Sequence, residues 1–384
     1  MHKASSEPAP ARVRVLWLIK GLGPGGAEQL LVNQARVHDR ERFEMTAAYL
    51  VPWKNHLVGP LEAAGVPALL LDGSRDFDLR WVWRLRRHLA DTPVDVVHSH
   101  SPLVAAGARL VAQTLPRAKR PALMYTEHNR WPRHNRLTRL ANRLTFSLDD
   151  DQIAVSDDVR DTIPSRLRTR VTTLFHGIVL DEVRAQRSNR HEVRTELGID
   201  EKTVVIGTVA NFRREKDYPN LLRAAQLALA RTDVPLCFVA VGQGPLEAEV
   251  HELHRQLGLG DRFRLLGYRQ DAVRMISAFD LFTLASRHEG LPVSLMEALA
   301  LGVPVVATAV GGIPQAITDG AEGLIVPPRR PDLLAAAYCE LAVDPGRRHT
   351  MSDAASARSK LFDIRTATRE LEERYADLAE RRRR

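Results

Sequence analysis

Cysteine is scarce in this chain. Two cysteines among 384 residues, Cys237 and Cys339, stand far apart, which excludes a disulfide framework and a cysteine metal cluster. Such scarcity suits a reducing cytoplasm. Also lacking is any apolar run of the roughly 18 residues needed to cross a bilayer. The opening MHKASSEPAPAR has no apolar stretch of the kind a secretory signal carries and reads as a flexible leader. Internal repeats and low-complexity tracts are missing, apart from RRRR at 381–384, which reads as a frayed, solvated end. Acidic residues fall short of basic ones, 47 against 55, for a formal charge of +8 and a pI of about 9.8. That excess suits attraction to phosphates, acidic lipids or nucleic acid, and equally an arginine-rich soluble enzyme. No nucleic-acid recognition motif accompanies it. With 44% apolar and 27% charged residues, the composition is that of a globular protein rather than a disordered one.

What is present is an alternation. VRVLWLI (13–19) reads as a buried strand and AEQLLVNQARVH (27–38) has helical spacing. Further strand-like runs stand at 43–50, 95–100, 121–128 and 151–156. A second series follows at 203–211, 236–242, 263–267, 280–286 and 303–310. Strands alternating with helices predict an α/β chain with parallel sheets covered on both faces. Residues 184–201 are charged and short of large apolar side chains, which predicts a linker. The expected organisation is therefore a domain over 11–183, the linker, and a domain over 202–361. An amphipathic helix at 362–380 would return to the first domain. Ligands of such sheets bind outside the carboxyl ends of the strands. Two Rossmann-like domains facing each other would put both sets of strand ends on a central cleft.

Gly21, Gly23 and Gly26 follow the first strand at the spacing G-x-G-x-x-G, the fingerprint of a nucleotide-binding turn. A dinucleotide site also needs an acidic residue at the end of the second strand, to hold the ribose. That end reads AAYLVPWKN, without Asp or Glu, so an NAD(P)-dependent dehydrogenase loses its second leg. Two readings stay open for this loop. Gly25 and Gly26 let the backbone approach an anion at the helix N-terminus, or they serve only a tight turn.

The most informative stretch is SRHEGLPVSLMEALALGVPVVATAVGGIPQ, residues 286–315. A strand ends near Ser286, Glu289 and Gly290 turn the chain, and Pro292 suits a first helical position. The free amides of Gly290 and Leu291 could take a phosphate. Glu297, further along the helix, could accept two ribose hydroxyls, and Glu289 could hold hydroxyls of whatever the phosphate carries. A nucleotide joined to a polyol fits that set. Arg213, Arg214 and Lys216 stand between another strand end and its helix. Positive charge there can neutralise a departing diphosphate without a metal.

Glu289 and Glu297 form an E-x7-E pair, and with GGAE at 25–28, the basic loop ending in Lys216, VGQGP (241–245) and GLIVPP (323–328) the chain resembles the retaining glycosyltransferases of family 4. That resemblance implies the two-domain GT-B fold and a hexosyltransferase-like, metal-independent enzyme with no cofactor. Its donor would be a nucleotide-diphosphate sugar and its acceptor a glycan or lipid-linked hydroxyl, in polysaccharide, glycolipid or cell-envelope glycan synthesis. It makes Glu289 a contact to the donor sugar, Glu297 the ribose partner, and Lys216 with Arg213 the diphosphate clamp. It also sets Gly26 against the phosphates and His128, in YTEHN, beside the transferred sugar. The family often writes Gly-Arg five residues before the lysine; here Asn211 holds that place, and Arg213 would supply the missing charge. The rival to catalysis is a non-catalytic binder of nucleotides or glycolipids, against which intact Glu289, Glu297 and Lys216 argue.

Two features remain. His98 and His100 lie two apart at a strand end and could line an acceptor cleft; a metal there would need a third ligand. In residues 130–148, Arg136, Arg139 and Arg143 share helical spacing, as do Leu137, Leu140 and Leu144. This helix is either a basic amphipathic surface for an anionic membrane or a core-packed helix with a charged outer face. The first option would set a cytoplasmic protein at the inner face of a membrane.

Overall fold

The computed structural model describes residues 12–73 and 78–383; the expected leader over 1–11 lies outside them. The chain divides into two compact units, residues up to Leu174 together with the segment from Ile364, and residues Phe175–Asp363. In the first unit the strands are β1 (Val13–Ile19), β2 (Phe43–Tyr49), β3 (Ala68–Leu70), β4 (Val96–Ser99), β5 (Ala122–Glu127), β6 (Asp151–Ala154) and β7 (Val171–Thr173). In the second they are β8 (Val204–Val209), β9 (Leu236–Val241), β10 (Phe263–Leu265), β11 (Leu281–Leu284), β12 (Val305–Thr308) and β13 (Gly323–Val326).

Every neighbouring pair is parallel. Parallel strands are covered by helices on both faces and so read as apolar throughout; β9, LCFVAV, is buried at every position. The orders are β3-β2-β1-β4-β5-β6-β7 and β10-β9-β8-β11-β12-β13. Counted from its own first strand, each sheet runs 3-2-1-4-5-6, the doubly wound order, and the first sheet adds a seventh strand, β7, at its edge. The direction of winding reverses between β1 and β4, and between β8 and β11. Crossover chains part there, and a crevice opens at the strand carboxyl ends.

The last helix, Ile364–Arg383, buries Leu371, Tyr375 and Leu378 in the first unit's core beside Trp17 and Phe43. Trp17 Nε1 donates to Tyr375 Oη at 3.2 Å. Among the described residues no helix is long and apolar enough to cross a membrane.

Several expectations need correction. The segment expected as a linker is helical: Leu180–Ala185, a 3-10 turn at Gln186–Asn189, and Arg190–Glu196. It belongs to the second unit, where Val193 is fully buried and Arg190 and Arg194 both pair with Asp280, at 2.6 and 3.2 Å. Its charges are fastened rather than solvated, which is why composition misread it. The arginine tail is helical to Arg383, and Arg381, Arg382 and Arg383 meet Asp377, Asp150 and Asp95 at 2.5, 3.4 and 3.7 Å. Strands β3, β7 and β13, at Ala68–Leu70, Val171–Thr173 and Gly323–Val326, are additions to the strands expected from the sequence. Pro292 is the cap rather than the first residue of the helix Val293–Ala300.

Candidate active site

In the second unit, four strand-end loops close on one another at the switch point. After β8 comes Ala210–Asp217, after β9 Gly242–Leu246, after β11 Ala285–Pro292, and after β12 Ala309–Gly312. Phe212 N donates to Gln243 O at 3.0 Å, Leu246 N to Phe212 O at 3.1 Å, Arg287 N to Glu215 O at 2.8 Å, and Gly312 N to Gly290 O at 2.6 Å. These contacts require small residues. A Cβ on Gly244 would lie 2.5 Å from Phe212 O, and one on Gly311, at φ +60°, 2.3 Å from Glu289 O. Glycine is the residue that permits both the positive φ and the close approach.

Two of the expected residues meet there. Lys216 Nζ donates to both carboxylate oxygens of Glu289, at 2.7 and 2.8 Å, across 73 residues of sequence. Ser286 Oγ donates to the same carboxylate at 2.5 Å. Glu289 is 7% exposed at its side chain and Lys216 19%, so the pair stands at the mouth of the loops rather than in the core. A second pair braces the first. Asp217, in the left-handed region at φ +47°, takes Arg287 at 2.6 and 2.8 Å. Ser286, Arg287 and Asp217 were not singled out from the sequence. Ser286 had a signal, since it ends a strand three residues before Glu289; the Arg287–Asp217 pair had none, because its partners lie 70 residues apart.

The other candidates spread out. Arg213 is exposed and has no ion pair among the described residues. The amides of Gly290 and Leu291 donate to no group among the described residues. Glu297 lies in the helix Val293–Ala300 without an ion pair or side-chain hydrogen bond among the described residues. Burial raises its carboxyl to about 7, because the charged form loses solvation there.

The first unit's strand ends differ. Gly25 caps the helix Gly26–Val37 and donates to Gly23 O at 2.8 Å. The preceding loop is pinned by Leu22, which donates to Lys54 O at 2.7 Å and accepts from Leu57 N at 3.0 Å. Lys20 N donates to Ser101 Oγ at 3.1 Å, tying the end of β1 to that of β4. His128, half-buried after β5, has Nε2 3.2 Å from Nδ1 of His100. Sequence reading passed over its neighbour Glu127, which meets Tyr125 Oη at 2.8 Å, Asn129 N at 3.1 Å and His134 Nε2 at 3.1 Å. The reading of His98 as a cleft-lining residue is corrected. It is fully buried, between Tyr375 Oη at 2.6 Å and Thr126 Oγ1 at 2.7 Å. Its neighbour His100 is 5% exposed, with ring centroids 4.1 Å apart. Among the described residues no three His, Cys, Asp or Glu side chains gather as a metal site.

Comparison with known proteins matches the family model for glycosyl transferases group 1 over residues 189–358 and that for glycosyltransferase family 4 over residues 24–182. A D-inositol 3-phosphate glycosyltransferase of Corynebacterium aurimucosum is 35% identical over 191 residues, 48% of this chain and 45% of that one. The enzyme of that name from Saccharomonospora viridis is 29% identical over 313 residues, 74% of this chain and 70% of that one. An alpha-D-kanosaminyltransferase of Streptomyces kanamyceticus is also matched over 44% of its length, so the chain spans about half the length of the Corynebacterium and Streptomyces relatives. Among solved structures, Anabaena HepE in complex with UDP-glucose superposes with a TM-score of 0.82 at 22% identity, over 95% of this chain and 100% of that one.

Proposed function

Because the chain belongs to the family 4 glycosyltransferases, we propose that it moves a sugar from a nucleotide-diphosphate sugar to a hydroxyl acceptor, with retention and without a metal, in glycan or glycolipid synthesis. The observation that carries this reading is the Lys216–Glu289 pair held by Ser286 at the second sheet's switch point. In the free protein the two charges neutralise each other. A diphosphate offers Lys216 a stronger anion, and its release frees Glu289 to accept sugar hydroxyls. The amides of Gly290 and Leu291 stand at the same turn for the phosphate oxygens. Glu297 accepts the ribose hydroxyls, and Arg213 swings in from solvent. In the first unit, Gly25 and Gly26 stand at the start of the helix Gly26–Val37 and His128 follows β5, the strand ends at which ligands of such sheets are bound. That HepE is complexed with UDP-glucose supports a uridine donor as the first to try.

In the transfer, the bond from the anomeric carbon to the β-phosphate oxygen breaks and the acceptor oxygen bonds to that carbon on the same face. The departing diphosphate takes the acceptor proton. Lys216 and Arg213 stabilise the charge that develops on it, the kind of term worth ~10²–10³ in rate per donor group. No protein nucleophile is required. The test is the Lys216→Ala variant with a donor identified by calorimetry across a nucleotide-sugar panel. A fall in kcat of about a hundredfold or more is expected; near-normal kcat removes the clamp.

A further inference from the structure

The helix Arg136–Thr145 is built inside out. Its buried residues are polar, Thr138, Asn142 and Thr145, while Leu137, Leu140 and Leu144 are 58, 52 and 72% exposed. A network locks this orientation. Arg109, 1% exposed, donates to Asn142 Oδ1 at 2.6 Å and Thr145 Oγ1 at 3.1 Å, and its other nitrogens hold Asp149 at 2.8 and 2.6 Å. Asn135 caps the first turn by accepting from Thr138 N at 2.8 Å. Rotating the helix to hide its leucines would take both side-chain acceptors away from the buried Arg109 Nη1 and bury unpartnered polar groups, so the leucines stay in water.

Two helices alongside extend the face. Pro102–Gln113 packs against the inverted helix and carries Leu103 and Leu110, 42 and 56% exposed. Arg80–Asp91 packs against Pro102–Gln113 and carries Trp83 at 62%, with Leu79 at 72% on its N-cap. Of the twelve exposed large apolar side chains among the described residues, six lie on these three helices and a seventh, Leu79, caps one of them. Concentration of this kind marks an interaction surface. Its charge is one-sided. Arg136, Arg139 and Arg143 form no ion pair among the described residues, and neither Pro102–Gln113 nor Arg136–Thr145 contains a carboxylate. On the third helix Asp91 is taken by Arg87 at 3.5 Å, and that guanidinium lies over the Trp83 ring at 5.8 Å.

We propose that this face docks on the surface of an anionic lipid bilayer. Leu137, Leu140, Leu144 and Trp83 enter the boundary between headgroups and acyl chains, and the arginines meet lipid phosphates. A second copy of the chain is disfavoured as the occupant, because a two-fold contact would set these arginines against one another with no carboxylates between them. The reading is independent of the glycosyl-transfer chemistry.

The full chain is sedimented with vesicles of equal parts phosphatidylglycerol and phosphatidylcholine, and with phosphatidylcholine alone, at ~0.05 M and ~0.5 M salt. Expected are binding to the anionic vesicles that weakens with salt and a loss of at least about tenfold in partitioning for Leu137→Ser/Leu140→Ser/Leu144→Ser. Arg136→Gln and Arg143→Gln should each cost about fivefold. Since the leucines are exposed, the triple variant should keep its circular dichroism and melting temperature, which separates lost docking from lost folding. Failure of the wild type to bind anionic vesicles overturns the proposal. So does a folded triple variant that binds equally well, or one that instead turns a dimer into a monomer in equilibrium sedimentation.

Discussion

Two ion pairs in this molecule look alike on paper and are opposite in setting. Arg109–Asp149 in the first unit is 1 and 2% exposed at its side chains, and the rings of Tyr125 and Phe146 lie 4.9 and 5.4 Å from the guanidinium. Lys216–Glu289 in the second unit is 19 and 7% exposed and is held by one hydroxyl at a strand-end turn. In the first pair the arginine's remaining donor, Nη1, is taken up by Asn142 Oδ1 and Thr145 Oγ1, so it cannot change partners without unfolding its surroundings. The second can open toward a ligand. An ion pair that supports a fold is surrounded, and one that serves a site is left with a way out.

The sharpest way to break this comparison is Arg109→Leu. Leaving Asp149 buried without its partner should destabilise the protein by about 3–5 kcal/mol, read from the denaturant midpoint. Activity per folded molecule should be nearly unchanged. Lys216→Ala should do the reverse. Transfer falls by about 10²–10³, while stability changes by no more than about 1–3 kcal/mol from an unpaired Glu289. If the two variants exchange these signatures, the assignment of roles is wrong.

Glu297 gives a third, smaller effect that depends on pH. Its carboxyl titrates near 7 in the folded chain against about 4.3 when exposed, so the folded state holds the extra proton between those values. Stability from this group is therefore present at low pH and lost as pH rises through 7. Glu297→Gln should match the wild type below about pH 4, pull ahead as pH rises from there to 7, and exceed it near pH 8 by roughly 3–4 kcal/mol. Hydroxyl donors favour the ionised carboxylate, so nucleotide binding near pH 7 should release a proton. Calorimetry in buffers of different ionisation enthalpy reads that release, which should vanish in Glu297→Gln. Smallest of all is the tail. Arg382 and Arg383 pair at 3.4 and 3.7 Å while 40 and 51% exposed. Replacing both with Gln should shift stability by less than about 1 kcal/mol, visible as a small change in melting temperature.

Much of the candidate set is legible in the sequence because its residues fall at strand ends, and strand ends follow from apolar runs. Glu289, Lys216, Gly25 and His128 are named as candidates in that way or by likeness to a family, and the structure places each beside a strand end. What pairs with what was not legible. Lys216 and Glu289 were given separate tasks on the donor, and the structure shows them gripping each other in its absence. The helix at 136–145 had an amphipathic pattern that suited either a core face or a membrane face. Its direction was decided by Arg109, 33 residues from Asn142 in sequence.

By itself, the order of residues determined the alternation of strand and helix, the glycines that let loops approach, and the excess of positive charge. These are local properties, set by side-chain period, backbone freedom and composition. Only the tertiary structure decided that residues 184–200 belong to the second unit, that His98 is sealed in the core, and that three leucines face water. Each of those outcomes depends on which distant groups come within hydrogen-bonding reach once the sheets have formed, and a linear pattern carries no record of that distance.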